Sequence, residues 1–171
     1  GVNSGYVPLG GVVISAAIAA TFEQRAFPGG LTYSGHPLAC ASAVASIRIF
    51  EEEGILENVR KVSDTVLAPR LAEIAAKHPS VGEVRGLGFF WGLELVRNPE
   101  TREPLVPFNA SGAAAGPMNE FAAACKAEGL WPFVHFNRTH VVPPCTTTAE
   151  EMTEGLDILD RALEVADRFT A

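Results

Sequence analysis

Val81-Gly82-Glu83-Val84-Arg85 and Phe89-Phe90-Trp91-Gly92-Leu93-Glu94-Leu95-Val96 are two runs rich in β-branched, aromatic and aliphatic residues, joined by Gly86-Leu87-Gly88. They predict two strands with a tight connection. Upstream, Ile55, Leu56, Val59, Val62, Val66, Leu71 and Ile74 recur at helical spacing to about Lys77, with Pro69 inside to kink or restart the helix. Downstream, Asn98 to Gly116 reads as a long loop. Pro117 then opens a helix whose Met118, Phe121, Ala122 and Cys125 share one face, and Gly129 closes it. Leu130–Phe136 and His140–Val142 read as strands, with a turn at Asn137-Arg138-Thr139. Thr148 and Glu151 fit a capping box, with Thr147 as a rival cap. The helix that follows carries Met152, Leu156, Leu159, Leu163 and Ala166 on one stripe. The order of elements is mixed α/β, without the regular alternation of a complete doubly wound sheet.

The first third differs in composition. Gly1 to Gly11 is turn-rich, Val12-Val13-Ile14 reads as a short buried strand, and Ser15 is placed to cap a helix to about Gln24. Phe27 to Gly35 is a loop with three glycines. His36-Pro37 opens a helix to Phe50 that is apolar on nearly all sides and is expected to be buried. The acidic run Glu51-Glu52-Glu53, followed by Gly54, marks the expected boundary between a segment 1–53 and a domain 54–171. The Val12–Ile14 strand has no partner in its own segment, and the chain opens abruptly at Gly1. Both lead to the expectation that these residues are the C-terminal part of something longer.

The sequence has 171 residues, with 13 Lys plus Arg against 20 Asp plus Glu, a net charge of −7. That balance argues against nucleic acid, whose binders cluster basic residues against phosphates. A hydrophobic content of 47% argues against global disorder. The longest weakly polar run, Gly10 to Ala20, falls short of the ~20 residues needed to span a bilayer. The three cysteines, Cys40, Cys125 and Cys145, are sparse and far apart, which suits a reducing cytoplasm.

Few residues advertise chemistry by themselves. Gly86-Leu87-Gly88 begins like a dinucleotide fingerprint but lacks the third glycine and leads into a strand, so it reads as a strand connection. His135, His140 and Cys145 match no zinc spacing, and a structural role is expected for them. Glu51 to Glu53 read as a solvated helix end. Gly29-Gly30-Leu31-Thr32, running toward a helix, fits either an anion-binding loop or an ordinary connection.

Ser4-Gly5-Tyr6-Val7-Pro8-Leu9-Gly10-Gly11 and Leu31-Thr32-Tyr33-Ser34-Gly35-His36-Pro37-Leu38-Ala39-Cys40 strongly resemble class III aminotransferases, pyridoxal-phosphate enzymes of fold type I. Val84-Arg85-Gly86-Leu87-Gly88, Trp91-Gly92-Leu93-Glu94-Leu95 and Val142-Pro143-Pro144 extend the likeness along essentially the whole chain, and the sequence looks like the omega-amino-acid or amine:pyruvate branch. The resemblance implies that residues 1–53 finish the large cofactor domain and that 54–171 form the small α/β domain. It implies a homodimer that moves an amino group from an omega-amino acid or amine to a keto acid such as pyruvate. In the family, the catalytic lysine sits immediately before the position of Gly1. Lys61, Lys77 and Lys126 do not match it, so these residues alone are expected to be inactive. Thr32 matches the threonine that bonds the cofactor phosphate from the neighbouring subunit, with Gly30 and Leu31 shaping the approach. Ser4, Gly5 and Tyr6 are expected to line the substrate site. Phe133 stands where amine transaminases carry a mobile arginine, and His140 where ornithine-type members carry theirs. Arg138, two residues from His140, can share its face and capture a carboxylate or sulfonate. An aminomutase or decarboxylase on the same fold, or a non-catalytic binding module, would keep the same motifs.

Overall fold

The computed structural model describes residues 2–171, which divide into two compact units, one running to Ile55 and the other spanning Leu56–Ala171. The first unit is loops and two helices, α1 (Ala16–Ala20) and α2 (Pro37–Glu52). Ser15 caps α1, accepting from the Ile18 amide at 3.3 Å, but the helix stops four residues short of the predicted Gln24.

Two expectations fail in this unit. Val12, Val13 and Ile14 form no strand and are exposed, Val13 fully so. Among the described residues no strand pairs with them, and an apolar β-branched run without a ladder partner has nothing to hold it extended. The helix from Pro37 is present, but only Ala39 and Ala43 on it are buried, while Leu38, Val44, Ile47 and Ile49 face outward. Its apolar surface on all sides has little in this unit to lie against.

The second unit has the predicted helices and strands, but the first hairpin turns at Gly88-Phe89 rather than across Gly86-Leu87-Gly88, and the strand expected over Leu130–Phe136 shortens to Phe133–His135. Helix α3 (Ile55–Val62) passes through a π-helical turn, Ser63–Leu67, into α4 (Ala68–Lys77). Pro69 occupies the first turn of α4, where its missing N–H costs nothing, so the chain restarts there. Strands β1 (Val81–Leu87) and β2 (Phe90–Asn98) pair antiparallel, and β3 (Glu103–Pro104) adds to the far end of β2 within the expected loop. A 3-10 turn, Gly112–Ala115, leads into α5 (Gly116–Ala127). Strands β4 (Phe133–His135) and β5 (Arg138–Val141) complete an antiparallel sheet in the order β1-β2-β5-β4. The turn between them is Phe136-Asn137, not Asn137-Arg138-Thr139. Phe136 takes φ 53°, the left-handed region that bulky residues avoid, and this frees Arg138 to begin β5. Helix α6 (Ala149–Asp167) starts with the predicted capping box, Thr148 against Glu151.

One sheet face is packed. Leu93, Leu95 and Thr139 are buried on it against Leu71 and Ile74 of α4, Met118, Phe121 and Cys125 of α5, and the α6 stripe from Met152 to Ala166. Below this core, His78 is 2% exposed and bridges two carboxylates of α6, with Nδ1 2.6 Å from Asp167 and Nε2 2.6 Å from Asp160. Asp160 also accepts from Lys77 at 2.7 Å and Arg70 at 2.9 Å. Burial by itself would raise the Asp160 carboxyl, but the hydrogen bonds from Lys77 and His78 and the charges of Lys77 and Arg70 outweigh it and hold it at about 2.

Two outcomes follow for stability. A carboxyl depressed from 3.8 to about 2 stabilises the fold fully above about pH 4, and loses that contribution as the pH falls through 2. Asp160→Asn should therefore cost about 2–4 kcal/mol at pH 7, read as a lowered urea midpoint, and should flatten the acid limb of the stability profile. Gly86 sits where a Cβ would overlap the Trp91 ring and come within 2.5 Å of the Phe90 carbonyl oxygen. Gly86→Ala should lower stability by about 1–3 kcal/mol in the same measurement.

Candidate functional site

An antiparallel sheet need be covered on one face only, and here the other face is open. The strand registers set its rows. Glu83, Glu94, Arg138 and His135 are neighbours in one row, Arg85, Gly92, His140 and Phe133 in the next, and Leu87 and Phe90 in the third. Phe133, Arg138 and His140, three of the residues singled out from the sequence, thus lie together on adjacent strands. Arg138 and His140 share a face, as their spacing suggested, with the buried Thr139 pointing the other way.

The hollow above this face, about 600 Å³, is lined by Arg85, Leu87, Phe90, Gly92, Glu94, Arg138 and His140, among others. Gly92 makes its floor low, since a Cβ there would meet nothing within 4 Å. The His140 ring stands edge-on to Phe133 and Phe90, with centroids 5.2 Å and 6.0 Å away. Burial, followed by the charges of Arg138 and His135, lowers the His140 pKa, so the ring is neutral at pH 7. A second, largely apolar hollow of about 580 Å³ runs from Phe133 and His140 toward Met152 and Gly155 of α6.

Charge on the open face is organised. Arg102 donates to Glu83 at 2.6 Å, Arg85 reaches Glu83 at 2.9 Å, and Arg85 donates to Glu94 at 2.6 Å. Arg138 stands outside that chain. Among the described residues no carboxylate lies within 4 Å of its guanidinium, which instead meets Nδ1 of His135 at 3.2 Å. Sequence reading missed Arg85, Glu94 and His135 as members of this group. Alternation within each predicted strand would have put Arg85 on one face of β1 and Glu94 on one face of β2. The register that aligns them with Arg138 and His135 is not written locally.

The remaining candidates lie in the first unit. Ser4 and Gly5 are the two central residues of a turn closed by Tyr6 N–H on Asn3 C=O at 3.1 Å. Both have positive φ, 54° and 79°, and Asn3 is buried with its amide on the Val7 carbonyl at 2.7 Å. Ser4, Gly5 and Tyr6 are exposed, as are Gly30, Leu31 and Thr32. Leu31 accepts from Ser34 N–H at 3.0 Å in a tight turn that contains the exposed Thr32, and a Cβ on Gly30 would meet nothing within 4 Å. Of the lysines, Lys77 is held by Asp160 and Lys126 lies 4.2 Å over the Trp131 ring. Cys145 offers its backbone carbonyl to Asn58 at 3.0 Å. Among the described residues no helix is long and apolar enough to cross a membrane.

Comparison with known proteins gives the site its context. The profile of the class-III aminotransferases matches residues 1–163. Putrescine–pyruvate aminotransferase of Pseudomonas aeruginosa is 48% identical over 104 residues, 60% of this chain and 23% of that protein. Gamma aminobutyrate transaminase 2 of Solanum lycopersicum is 32% identical over 97% of this chain and 36% of its own length. Among solved structures, taurine:2-oxoglutarate aminotransferase of Bifidobacterium kashiwanohense, in complex with PLP and glutamate, superposes with a TM-score of 0.90 at 38% identity, covering 98% of this chain and 37% of that one. A PLP-bound amine transaminase from an uncultivated Pseudomonas species gives 0.86 at 34% identity, covering 96% and 36%. The chain thus spans between about a quarter and two fifths of the length of these relatives. Its mixed α/β fold is that of the corresponding part of fold type I PLP-dependent transaminases, and the chain belongs to the class-III aminotransferase family.

Proposed function

We propose that the whole protein is a PLP-dependent aminotransferase that moves an amino group from an omega-amino acid or amine to a keto acid such as pyruvate, and that the open sheet face of Leu56–Ala171 takes the substrate. The observation that carries the substrate reading is Arg138, a guanidinium on that face with no carboxylate beside it among the described residues. A free guanidinium is suited to binding a carboxylate or sulfonate through paired N–H donors. Neutral His140 and the rings of Phe133 and Phe90 supply an apolar wall against which the carbon chain of a substrate can lie.

The residues of the first unit fit the phosphate of pyridoxal phosphate by their chemistry. An exposed hydroxyl on Thr32 and open space at Gly30 allow close approach and one hydrogen bond to a phosphate oxygen. Bound PLP would serve as the electron sink that makes amino-group transfer feasible. Leu31 would pack beside the phosphate approach, and Ser4, Gly5 and Tyr6 would border the substrate. We further propose a homodimer in which Thr32 serves the partner subunit's cofactor, in a cytoplasmic setting, with residues 1–53 belonging to the large domain and 54–171 forming the small one. The motif match at Leu31–Cys40 supports the first point, and the exposed Leu31, Tyr33 and Leu38 suit a surface that another chain covers. The lysine that carries the cofactor is proposed to lie outside these residues, since none of Lys61, Lys77 and Lys126 matches the family's position, and Lys77 and Lys126 are engaged elsewhere.

The full-length protein with PLP should convert pyruvate to alanine with an amine donor, and failure with every omega-amino acid and amine tested would refute the assignment. Arg138→Ala should raise KM for an anionic donor such as β-alanine or taurine by about tenfold or more, with a smaller change for an uncharged amine, as expected for losing a charge-assisted hydrogen bond. Thr32→Ala should weaken PLP binding by about 1–3 kcal/mol, measured by cofactor titration of the apoenzyme.

A further inference from the structure

Arg138, the proposed anion-binding group, stands opposite a carboxylate that does not neutralise it. Glu94 and Arg138 are direct register partners on β2 and β5, and both project to the open face. Antiparallel partners of opposite charge ordinarily reach one another. Yet the Glu94 carboxylate is turned the other way, accepting from Arg85 at 2.6 Å. Arg85 is itself anchored by Glu83 at 2.9 Å, and Glu83 is held in turn by Arg102 at 2.6 Å. The hydrogen bonds that Arg85 donates to Glu94 and then Glu83 raise its pKa further, so it stays charged at every working pH. Arg138, deprived of its cross-strand carboxylate, rests on the Nδ1 of His135.

We infer that Arg85 is a positioning residue for substrate specificity, drawing Glu94 away from Arg138 so that Arg138 remains open to the anionic group of the substrate. The inference deepens the proposed function and rests on Arg138 being the group that meets that anion. Its chemistry is a competition for one guanidinium. With Arg85 present, Glu94 has a better partner, and a substrate carboxylate or sulfonate meets Arg138 without displacing another anion. With Arg85 gone, Glu94 is left uncompensated opposite Arg138 and pairs with it. An anionic donor must then break that pair, while a donor whose only ionic group is its amine is indifferent to it.

The test uses the full-length enzyme loaded with PLP, with pyruvate as acceptor and β-alanine against benzylamine as donors. Arg85 is more than half exposed, so Arg85→Met keeps the aliphatic stem and leaves the core untouched. The ratio of KM for β-alanine to KM for benzylamine should rise about tenfold in Arg85→Met, the scale of one charge-assisted interaction. Adding Glu94→Gln to that variant should bring the ratio back to within about twofold of wild type, because the competitor has been removed. A structural role or a direct substrate contact for Arg85 would leave the double variant as impaired as the single one, and that result overturns the inference. So does an Arg85→Met enzyme with an unchanged ratio. Arg138→Ala, assayed alongside, separates the two levels: an unchanged ratio in that variant refutes the substrate reading itself, whereas a raised ratio without rescue in the Arg85→Met, Glu94→Gln enzyme refutes only the role of Arg85.

Discussion

A four-strand antiparallel path covered by helices on one side only is the constraint from which the rest of the second unit follows. Alternation along β1, β2 and β5 sends Leu93, Leu95 and Thr139 into the core and sends Arg85, Glu94, Arg138 and His140 the other way. A slip of one residue in the β2–β5 register would exchange the two sets and destroy both the core and the ionic face together. The same antiparallel registers therefore fix the packing and align the groups that we assign to substrate.

Polar groups are treated differently on the two sides of that unit. Around α6, His78, Asp160, Asp167, Lys77 and Arg70 form a network in which each buried acceptor has a donor, as a buried ionic cluster requires. On the open face the ion pairs are exposed and weak singly, but their order matters. Arg102, Glu83, Arg85 and Glu94 pair off along a line that stops before Arg138. The pattern leaves one cation of the row free of a carboxylate, next to an uncharged imidazole and two aromatic rings.

The elements of the second unit were legible because each carries its own signal. Pro69 and Pro117 mark helix starts, Gly129 a helix end, and Thr148 with Glu151 a capping box. Legibility failed where the signal was not local. The β4–β5 turn moved by one residue because Phe136 accepts a left-handed φ, which no propensity would assign to phenylalanine. Its ring packs at a tilt against Phe108 and His135, with centroids 4.6 Å and 4.0 Å away, contacts that local sequence cannot announce. In the first unit, Val12–Ile14 has the composition of a strand but no partner among the described residues, and the helix from Pro37 has an apolar surface with little in that unit to bury it. The candidate site was half visible. The motifs singled out Phe133, Arg138 and His140, whereas Arg85, Glu94 and His135 emerged only once the register was known.

We assign substrate binding to the open sheet face, through Arg138. The most direct test is the crystal structure of the full-length PLP-loaded protein with a non-reacting anionic donor analogue, such as a sulfonate of taurine length. The sulfonate oxygens are expected within hydrogen-bond distance of the Arg138 guanidinium, about 2.7–3.1 Å, with Glu94 still on Arg85. A sulfonate bound by other residues, with the face of Arg85, Glu94 and Arg138 turned away from the bound analogue, would contradict this assignment.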